Sequence, residues 1–209
     1  MQGLMGIREL AVAGALEFTP IRRPDHRGVF LELLREKWWN EALGREVPVV
    51  QVNCTVNHRN VVRGVHFTRL VGQGKFVSCL YGRMRDVVVD TREGSPTFGK
   101  HDTVALDTEN FRIVFLPEGV GHGIASLAEQ SAAFYLCTAT FDPANEYGVH
   151  PQDPDLGIDW RGILGGREPI LSQRDSNAPS FAQARAEGLL PDYEECLEVY
   201  RGNYTRTGR

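Results

Sequence analysis

The chain contains 209 residues, a length that suits one domain built around a single hydrophobic core. Lys and Arg number 23 against 27 Asp and Glu, and the net charge of −4 leaves no excess positive charge for a phosphate backbone, so nucleic-acid binding is not expected. Hydrophobic residues make up 42% of the chain and charged residues 24%, as in ordinary folded soluble proteins. No apolar run approaches the roughly 20 residues that a membrane-spanning helix needs, so no membrane association is expected.

The N-terminus and the cysteines indicate the cellular compartment. Residues 1–10 lack a basic segment followed by an apolar run, so we expect neither a secretory nor a transit signal and predict a cytoplasmic protein. Cys54, Cys79, Cys137 and Cys196 lie far apart and form no C-x-x-C pair. We therefore expect four reduced thiols, without disulfides or a zinc site.

Short segments rich in Val, Phe, Leu and Thr are separated by Gly and Pro along most of the chain, a pattern typical of β-strands joined by turns. The clearest example predicts a hairpin, because side chains of alternating character flank Gly82 on both sides. The predicted strands, in chain order, are residues 16–21, 29–34, 47–55, 61–67, 75–81, 84–90, 103–106, 112–116, 123–127 and 132–141. Strands at this spacing favour a sandwich or a barrel.

Helices are predicted at only two places, residues 36–43, ended by Gly44, and a C-terminal helix that starts at Ser180 and ends before Pro191. Residues 142–171 are dense in Pro, Asp and Gly, which indicates a long ordered crossing over the barrel. We predict one domain over residues 1–209. Its barrel core spans about residues 45–145, and the crossing and helices about residues 146–209.

The segment PEGVGH at residues 117–122 follows an apolar strand, and its pattern P-x-G-x-x-H resembles the second motif of cupins. The expected fold is therefore all-β, a cupin-type double-stranded β-helix (jelly roll) with a few peripheral helices. Metal-binding cupins also carry an H-x-H pair, because a divalent ion needs three or four converging donors. Here Thr68 stands where the second histidine would follow His66, so we expect no metal and no other cofactor. His122 is expected to line a pocket.

Arg63, His66 and Lys75 form the first candidate site. Strand alternation brings Arg63 and His66 to the same barrel mouth if Gly64 marks a bulge, and Lys75 begins the neighbouring strand. Two cations and an imidazole in one pocket favour an anionic substrate. Taken singly, the histidine is more typical of an ordinary packing residue, and a charge at a strand edge is the alternative interpretation of the lysine.

Eight short segments carry a resemblance to a known family. In chain order they are DHRGVF (25–30), QVN (51–53), VRGVHF (62–67), GK (74–75), DVVVD (86–90), GSPTFG (94–99), PEGVGHG (117–123) and DLGIDW (155–160). Together they cover about residues 15–180, and the chain resembles the dTDP-4-dehydrorhamnose 3,5-epimerase family, with its relatives from antibiotic deoxysugar pathways. The resemblance implies a dTDP-4-keto-6-deoxyhexose as the substrate.

The resemblance also assigns four catalytic residues. It implies that His66, paired with Asp175, removes a proton beside the C4 ketone, that Lys75 stabilises the enolate, and that Tyr135 returns a proton from the opposite face. An activated C–H needs a donor for the oxyanion and a positioned base, and two groups on opposite faces produce inversion. Without the resemblance, Asp175 would be one loop carboxylate among many.

The chain lacks a phosphate-binding glycine loop, so side chains must bind the nucleotide. The resemblance implies that Arg63 binds the pyrophosphate, since its planar fork suits a diphosphate, and that Gln51 and Asn53 line the nucleotide cleft. It further implies a homodimer that exchanges an N-terminal strand. The residues contributed by the second subunit would be Arg27, Phe30 and Glu32.

One departure and two alternatives remain at this stage. Epimerases that make the rhamnose precursor tend to carry two adjacent tyrosines where this chain has Thr140 and Phe141, so inversion at C3, at C5 or at both stays open. A sugar-nucleotide 3,4-ketoisomerase on the same barrel is expected to use an H-x-H pair, and Thr68 counts against it. A non-catalytic sugar-nucleotide-binding cupin is the third interpretation, against which the presence of base, oxyanion donor and acid argues.

Overall fold

A computed structural model describes residues 4–69 and 72–201, which form two packed antiparallel sheets and a small separate hairpin. The strands are β1 (Leu4–Glu9), β2 (Leu16–Pro20), β3 (Arg23–Asp25), β4 (Gly28–Phe30), β5 (Gln51–His58), β6 (Val62–Thr68), β7 (Lys75–Tyr81), β8 (Arg83–Val89), β9 (His101–Asp107), β10 (Ile113–Leu116), β11 (Gly121–Ser126), β12 (Gln130–Cys137) and β13 (Glu146–Gly148). The helices are α1 (Glu36–Leu43), α2 (Trp160–Ile163), α3 (Gln173–Ser176), α4 (Phe181–Ala186) and α5 (Tyr193–Tyr200), with a 3₁₀ turn at Pro154–Leu156.

The topology confirms the predicted all-β, cupin-type jelly roll. One sheet has the strand order β1-β2-β10-β7-β12-β5 and the other the order β13-β6-β11-β8-β9, while β3 and β4 pair only with each other. Side chains of alternating strand positions fill the space between the sheets, including Val77, Cys79, Leu106 and Ile124. The barrel interior is therefore a packed core at one end and leaves room for a site at the other.

The outer faces of both sheets are also covered. On the six-stranded sheet, Trp39 of α1 packs between Phe18 and Phe76 with ring centroids 4.5 and 4.3 Å away. On the five-stranded sheet, Trp160 and Phe181 from the C-terminal segment pack on outward-facing residues of β6 and β8. Residues 142–171 thus return over the barrel as predicted, although they include β13, the 3₁₀ turn and α2.

Several predicted boundaries are wrong, and so is the predicted hairpin around Gly82, because β7 and β8 belong to different sheets. Helices are not confined to two places, because α2, α3 and α5 exist besides the predicted α1 and α4. The strand predicted at 29–34 ends at Phe30, because Phe30 pairs with Arg23, the first residue of its partner β3. The strand predicted at 47–55 runs instead from Gln51 to His58, along β12. Strands β1, β3 and β13 were not predicted. The single-domain prediction includes residues 1–3, 70–71 and 202–209, which lie outside the described residues.

Two expectations from composition can be compared with the structure. All four cysteines are free thiols, as predicted, with Cys54 exposed and the other three buried. Within the described ranges, no helix is both long and apolar enough to cross a membrane.

Replacing Trp39 with alanine should remove the main contact between α1 and the sheet. Truncating a buried tryptophan typically costs about 3–5 kcal/mol, and we expect that loss in the free energy of unfolding of Trp39→Ala, measured by urea denaturation. Lys37→Ala on the exposed side of the same helix is the control and should change the free energy by less than about 0.5 kcal/mol. Equal effects of the two substitutions would contradict this packing.

Candidate active site

A cavity of about 220 Å³ opens between the two sheets. Strands β5, β7 and β12 of one sheet and β6, β11 and β13 of the other contribute to its wall. The lining residues are Asn53, Thr55, Arg63, His66, Gln73, Lys75, His122, Ile124, Tyr135, Cys137, Phe141 and Glu146. Three of the four predicted catalytic side chains, His66, Lys75 and Tyr135, therefore face one space.

A bulge in β6 places Arg63 and His66 on the same side of the strand. His122 pairs with His66 and Ile124 with Arg63, so β6 has one more residue than β11 between the two pairs. Gly64 occupies this bulge with φ +126°, and an added Cβ would lie 2.5 Å from the carbonyl oxygen of His122. The predicted bulge is confirmed, and only glycine fits the close approach of the two strands.

Asp175 lies directly behind His66. Its Oδ1 is 2.7 Å from His66 Nε2, and its side chain is 5% exposed. The short helix α3 holds the carboxylate in place, because the Ser172 hydroxyl caps that helix by accepting the Asp175 backbone N–H at 3.1 Å. Burial raises the pKa of Asp175, but His66, the Ser172 hydroxyl and the Gly64 amide outweigh it and hold that pKa below its ordinary value.

Tyr135 enters the cavity from β12 in the opposite sheet. Its hydroxyl lies 3.4 Å from Thr55 Oγ1, and its ring meets the His122 ring edge to face with centroids 6.0 Å apart. Burial is the main cause that raises the pKa of Tyr135, with a smaller contribution from the charge of Asp86. The phenol therefore keeps its proton near neutral pH, as a proton donor must.

Lys75 and Arg63 make the cavity positive. Lys75 begins β7, where it pairs with Cys137 of β12, and its Nζ lies 4.0 Å from Glu146 Oε1. Arg63 Nε donates a hydrogen bond to Asn57 Oδ1 at 2.5 Å, which fixes the guanidinium at the wall. Both cations can therefore contact an anion bound in the cavity.

His122 belongs to a second histidine–carboxylate pair. Its Nδ1 lies 3.4 Å from the carboxylate of Asp86, which is fully buried. His122 lines the cavity beside the Tyr135 ring, and Asp86 lies behind it. His122 therefore lines the pocket, as the sequence analysis expected.

The predicted nucleotide-binding residues fall into two groups. Asn53 lines the cavity. Gln51 Nε2 donates a hydrogen bond to Asn53 Oδ1 at 3.0 Å, and Gln51 Oε1 accepts one from the Phe141 backbone N–H at 2.8 Å. Arg27, Phe30 and Glu32 do not line this cavity. Arg27 pairs with Asp25 and Glu32 with Arg35, and Phe30 is 63% exposed on the β3–β4 hairpin.

Sequence reasoning missed four lining residues with polar side chains and one residue behind the wall, namely Thr55, Gln73, Cys137, Glu146 and Asp86. Thr55 could have been found, because it lies two positions after Asn53 and so faces the same side of β5. Glu146 carries no comparable signal in a segment without periodicity. In the part of the chain that the structure describes, no three His, Cys, Asp or Glu side chains converge as a metal site would require.

Comparison with known proteins identifies the family. The profile described as dTDP-4-dehydrorhamnose 3,5-epimerase matches residues 9–183, which is most of the chain. The chain belongs to this family. A Mycobacterium tuberculosis (strain CDC 1551 / Oshkosh) protein named dTDP-4-dehydrorhamnose 3,5-epimerase is 45% identical over 192 residues, which cover 91% of this chain and 95% of that protein.

Members with narrower names are equally similar to this epimerase-family chain. A Streptomyces niveus protein named dTDP-4-dehydrorhamnose 3-epimerase is 45% identical over 196 residues, 93% of each chain. The solved structure of ChmJ, a 3'-monoepimerase from Streptomyces bikiniensis in complex with dTDP-quinovose, superposes with a TM-score of 0.89 at 42% identity, covering 94% of this chain and 98% of that one. The similarity therefore includes both 3,5-epimerases and 3-epimerases.

The depressed pKa of Asp175 predicts an acid-dependent loss of stability. A carboxyl whose pKa is lower in the folded state stabilises the fold above its unfolded pKa of about 3.9, and this contribution disappears as the pH falls through the folded pKa. Asp175→Asn should therefore lose less stability than wild type between pH 5.5 and pH 3, measured by urea denaturation. The control Asp155→Asn removes an exposed carboxylate, and parallel slopes for wild type and Asp175→Asn would contradict the prediction.

Proposed function

We propose that this protein is an epimerase that acts on a dTDP-4-keto-6-deoxyhexose and inverts C3, C5 or both. The observation that carries the proposal is the convergence of an imidazole, an ammonium and a phenol on one cavity in a member of this family. The imidazole comes from one sheet and the other two groups from the opposite sheet. A sugar ring between the sheets would therefore have the base and the acid on different faces.

His66 is the proposed base. With Nε2–H donating to the ionised Asp175, the other ring nitrogen, Nδ1, carries the lone pair that accepts a proton. Asp175 then stabilises the imidazolium that forms. A positioned base of this kind contributes roughly 10²–10⁴-fold to the rate.

Lys75 is the proposed partner of the enolate. Removing a proton beside the C4 ketone places negative charge on the ketone oxygen, and a preorganised donor at such an oxygen is worth about 3–4 kcal/mol. An ammonium at the start of β7 in a half-enclosed cavity supplies this donor. The same oxygen serves both C3 and C5, because each carbon is adjacent to C4.

Tyr135 is the proposed acid. Its buried phenol remains protonated and approaches from the sheet opposite His66, so a proton delivered by it reaches the face from which the base did not withdraw one. Inversion follows from this geometry. A site with the base alone would exchange the proton and return the same sugar.

The nucleotide end of the substrate extends toward the mouth of the cavity. Arg63 is suited to the pyrophosphate, because its guanidinium donates two parallel hydrogen bonds, and Gln51 and Asn53 form the adjoining wall. We propose that Arg27, Phe30 and Glu32 of a second subunit complete the cleft. Arg27 and Phe30 are exposed on a hairpin whose strands β3 and β4 pair with no other described strand, and Glu32 lies two residues beyond β4, which supports this.

The proposed homodimer is supported by β5, which forms one edge of the six-stranded sheet. Its outward side chains Val52 and Val56 are 62% and 63% exposed, with Cys54 exposed between them. An apolar row on an edge strand is typical of a surface that another chain covers.

Proton exchange tests the proposed chemistry. In D₂O, wild type should introduce deuterium into dTDP-4-keto-6-deoxyglucose at C3, C5 or both, and proton NMR reads each carbon separately. His66→Ala should abolish the exchange. Tyr135→Phe should exchange the proton without inversion, because the base remains and the acid is lost.

The control for this experiment is His101→Ala, which removes a partly exposed histidine at the start of β9, outside the cavity, and should keep full activity. Absence of deuterium in the wild-type product would contradict the epimerase proposal and leave a binding protein.

Mixing two defective variants tests the shared site. His66→Ala lacks the base, so its homodimer should be inactive, and Arg27→Ala lacks the residue donated to the partner, so its homodimer should be weakly active. In a mixed dimer one site combines intact His66 with intact Arg27, and co-refolding the two variants should restore turnover.

Val52→Asp on the outward face of β5 should give a monomer by analytical ultracentrifugation. A fully active monomer would refute the shared site.

A further inference from the structure

Glu146 contacts the proposed catalytic lysine in the cavity and was not expected from the sequence. Its Oε1 lies 4.0 Å from Lys75 Nζ, and both side chains are 12% exposed. Among the described residues that line the cavity, Glu146 is the one carboxylate. A buried carboxylate beside a buried ammonium compensates a charge that would otherwise be costly to desolvate.

The backbone around Glu146 is held by the same elements that hold the base. Strand β13 pairs with β6, with Glu146 opposite Thr68 and Gly148 opposite His66. The Glu146 carbonyl oxygen also accepts a hydrogen bond at 3.0 Å from Nη2 of Arg174, the residue before Asp175. The positions of the lysine's counter-ion and of the histidine–aspartate pair are therefore linked.

The separation of the two charged groups leaves the ammonium available for substrate. At 4.0 Å the atoms attract each other but are too far apart for a hydrogen bond. The Lys75 ammonium donates no hydrogen bond to any residue within 4–69 and 72–201. Its N–H groups can thus point at a ketone oxygen while the carboxylate limits where the side chain can go.

Other charged and titratable groups surround the pair. Those that line the cavity from the neighbouring strands are Arg63, His66, His122, Tyr135 and Cys137. Two of these groups already have a carboxylate partner, His66 with Asp175 and His122 with Asp86. Glu146 is therefore the carboxylate available to Lys75, while Arg63 would repel the ammonium.

We propose that Glu146 is a positioning residue that holds the Lys75 ammonium over the ketone oxygen of the bound sugar. This inference rests on the proposed epimerase function and extends it. Glu146 does not exchange a proton with the substrate. Its effect is exerted through Lys75, so it should affect the formation of the enolate more than the binding of the nucleotide sugar.

The first test separates turnover from binding. Glu146→Gln keeps the shape of the side chain and removes its charge, and it should lower kcat by roughly 10–100-fold, because small misplacements of catalytic groups have effects of this size. The KM should change by less than about threefold, since Arg63 and the nucleotide wall are intact. Glu146→Asp retains the charge one methylene farther away and should give an intermediate kcat.

The matched control is Glu93→Gln, which removes a glutamate paired with Arg185 outside the cavity and should keep the wild-type kcat. Thermal melting and dTDP affinity establish that each variant is folded. If Glu146→Gln loses the wild-type melting transition, Glu146→Asp serves in its place. A wild-type kcat in folded Glu146→Gln overturns the inference. Where Glu146→Asp has to replace that variant, a wild-type kcat in Glu146→Asp overturns it.

A double-mutant cycle then tests whether Glu146 acts through Lys75. In a Lys75→Met background, measured by slow deuterium exchange, adding Glu146→Gln should cause no further loss. A further loss equal to that seen with Lys75 present would show an independent role and overturn the inference. The activity of wild type in the same assay tests the proposed function separately. An inactive wild type would contradict the epimerase proposal, whereas an active wild type with an unaffected Glu146→Gln would contradict only the role of Glu146.

Discussion

The close approach of β6 and β11 at Gly64 is the constraint on which the site depends. A regular strand would turn Arg63 and His66 to opposite faces, because their separation of three residues is odd, and the bulge restores them to one face. Any side chain at Gly64 would meet the backbone of β11. The same bulge turns Val62, Val65 and Phe67 toward the outer core beneath Trp160. The absence of a side chain at Gly64 therefore permits the bulge that directs β6 side chains both into the cavity and into the core behind it.

The electrostatics of the cavity separate the two proposed proton-transfer roles. Asp175 is held ionised by His66 and by donors from Ser172 and Gly64, while Tyr135 is held protonated mainly by burial. Two groups whose environments stabilise opposite protonation states are what acid–base catalysis at neutral pH requires. The difference arises from position: the carboxylate sits in the first turn of α3 amid donors, and the phenol is buried in the cavity with one long hydroxyl contact.

The sequence predicted the long strands well, because alternation over seven residues, as in β7, leaves a clear period of two. The one-turn helices α2 and α3 are too short for a period of 3.6, and only their caps Asp159 and Ser172 mark them. For α5 the signals were present, since Asp192 precedes two acidic residues of the first turn. The partnership of His66 with Asp175, 109 residues apart, follows from no local pattern and came from family resemblance alone.

The size of the cavity supports the proposal that two subunits share the substrate. At about 220 Å³ it is smaller than the roughly 300–1,000 Å³ of pockets that enclose drug-sized ligands, so it suits the hexose and leaves the nucleotide outside the barrel. An exposed nucleotide would be held by Arg63 and the short polar wall of β5 alone. The exposed β3–β4 hairpin offers an aromatic ring and a guanidinium, the groups that a base and a diphosphate require. In the proposed homodimer, association of the subunits would be part of substrate recognition, because each chain would carry the sugar site of one complex and the nucleotide wall of the other.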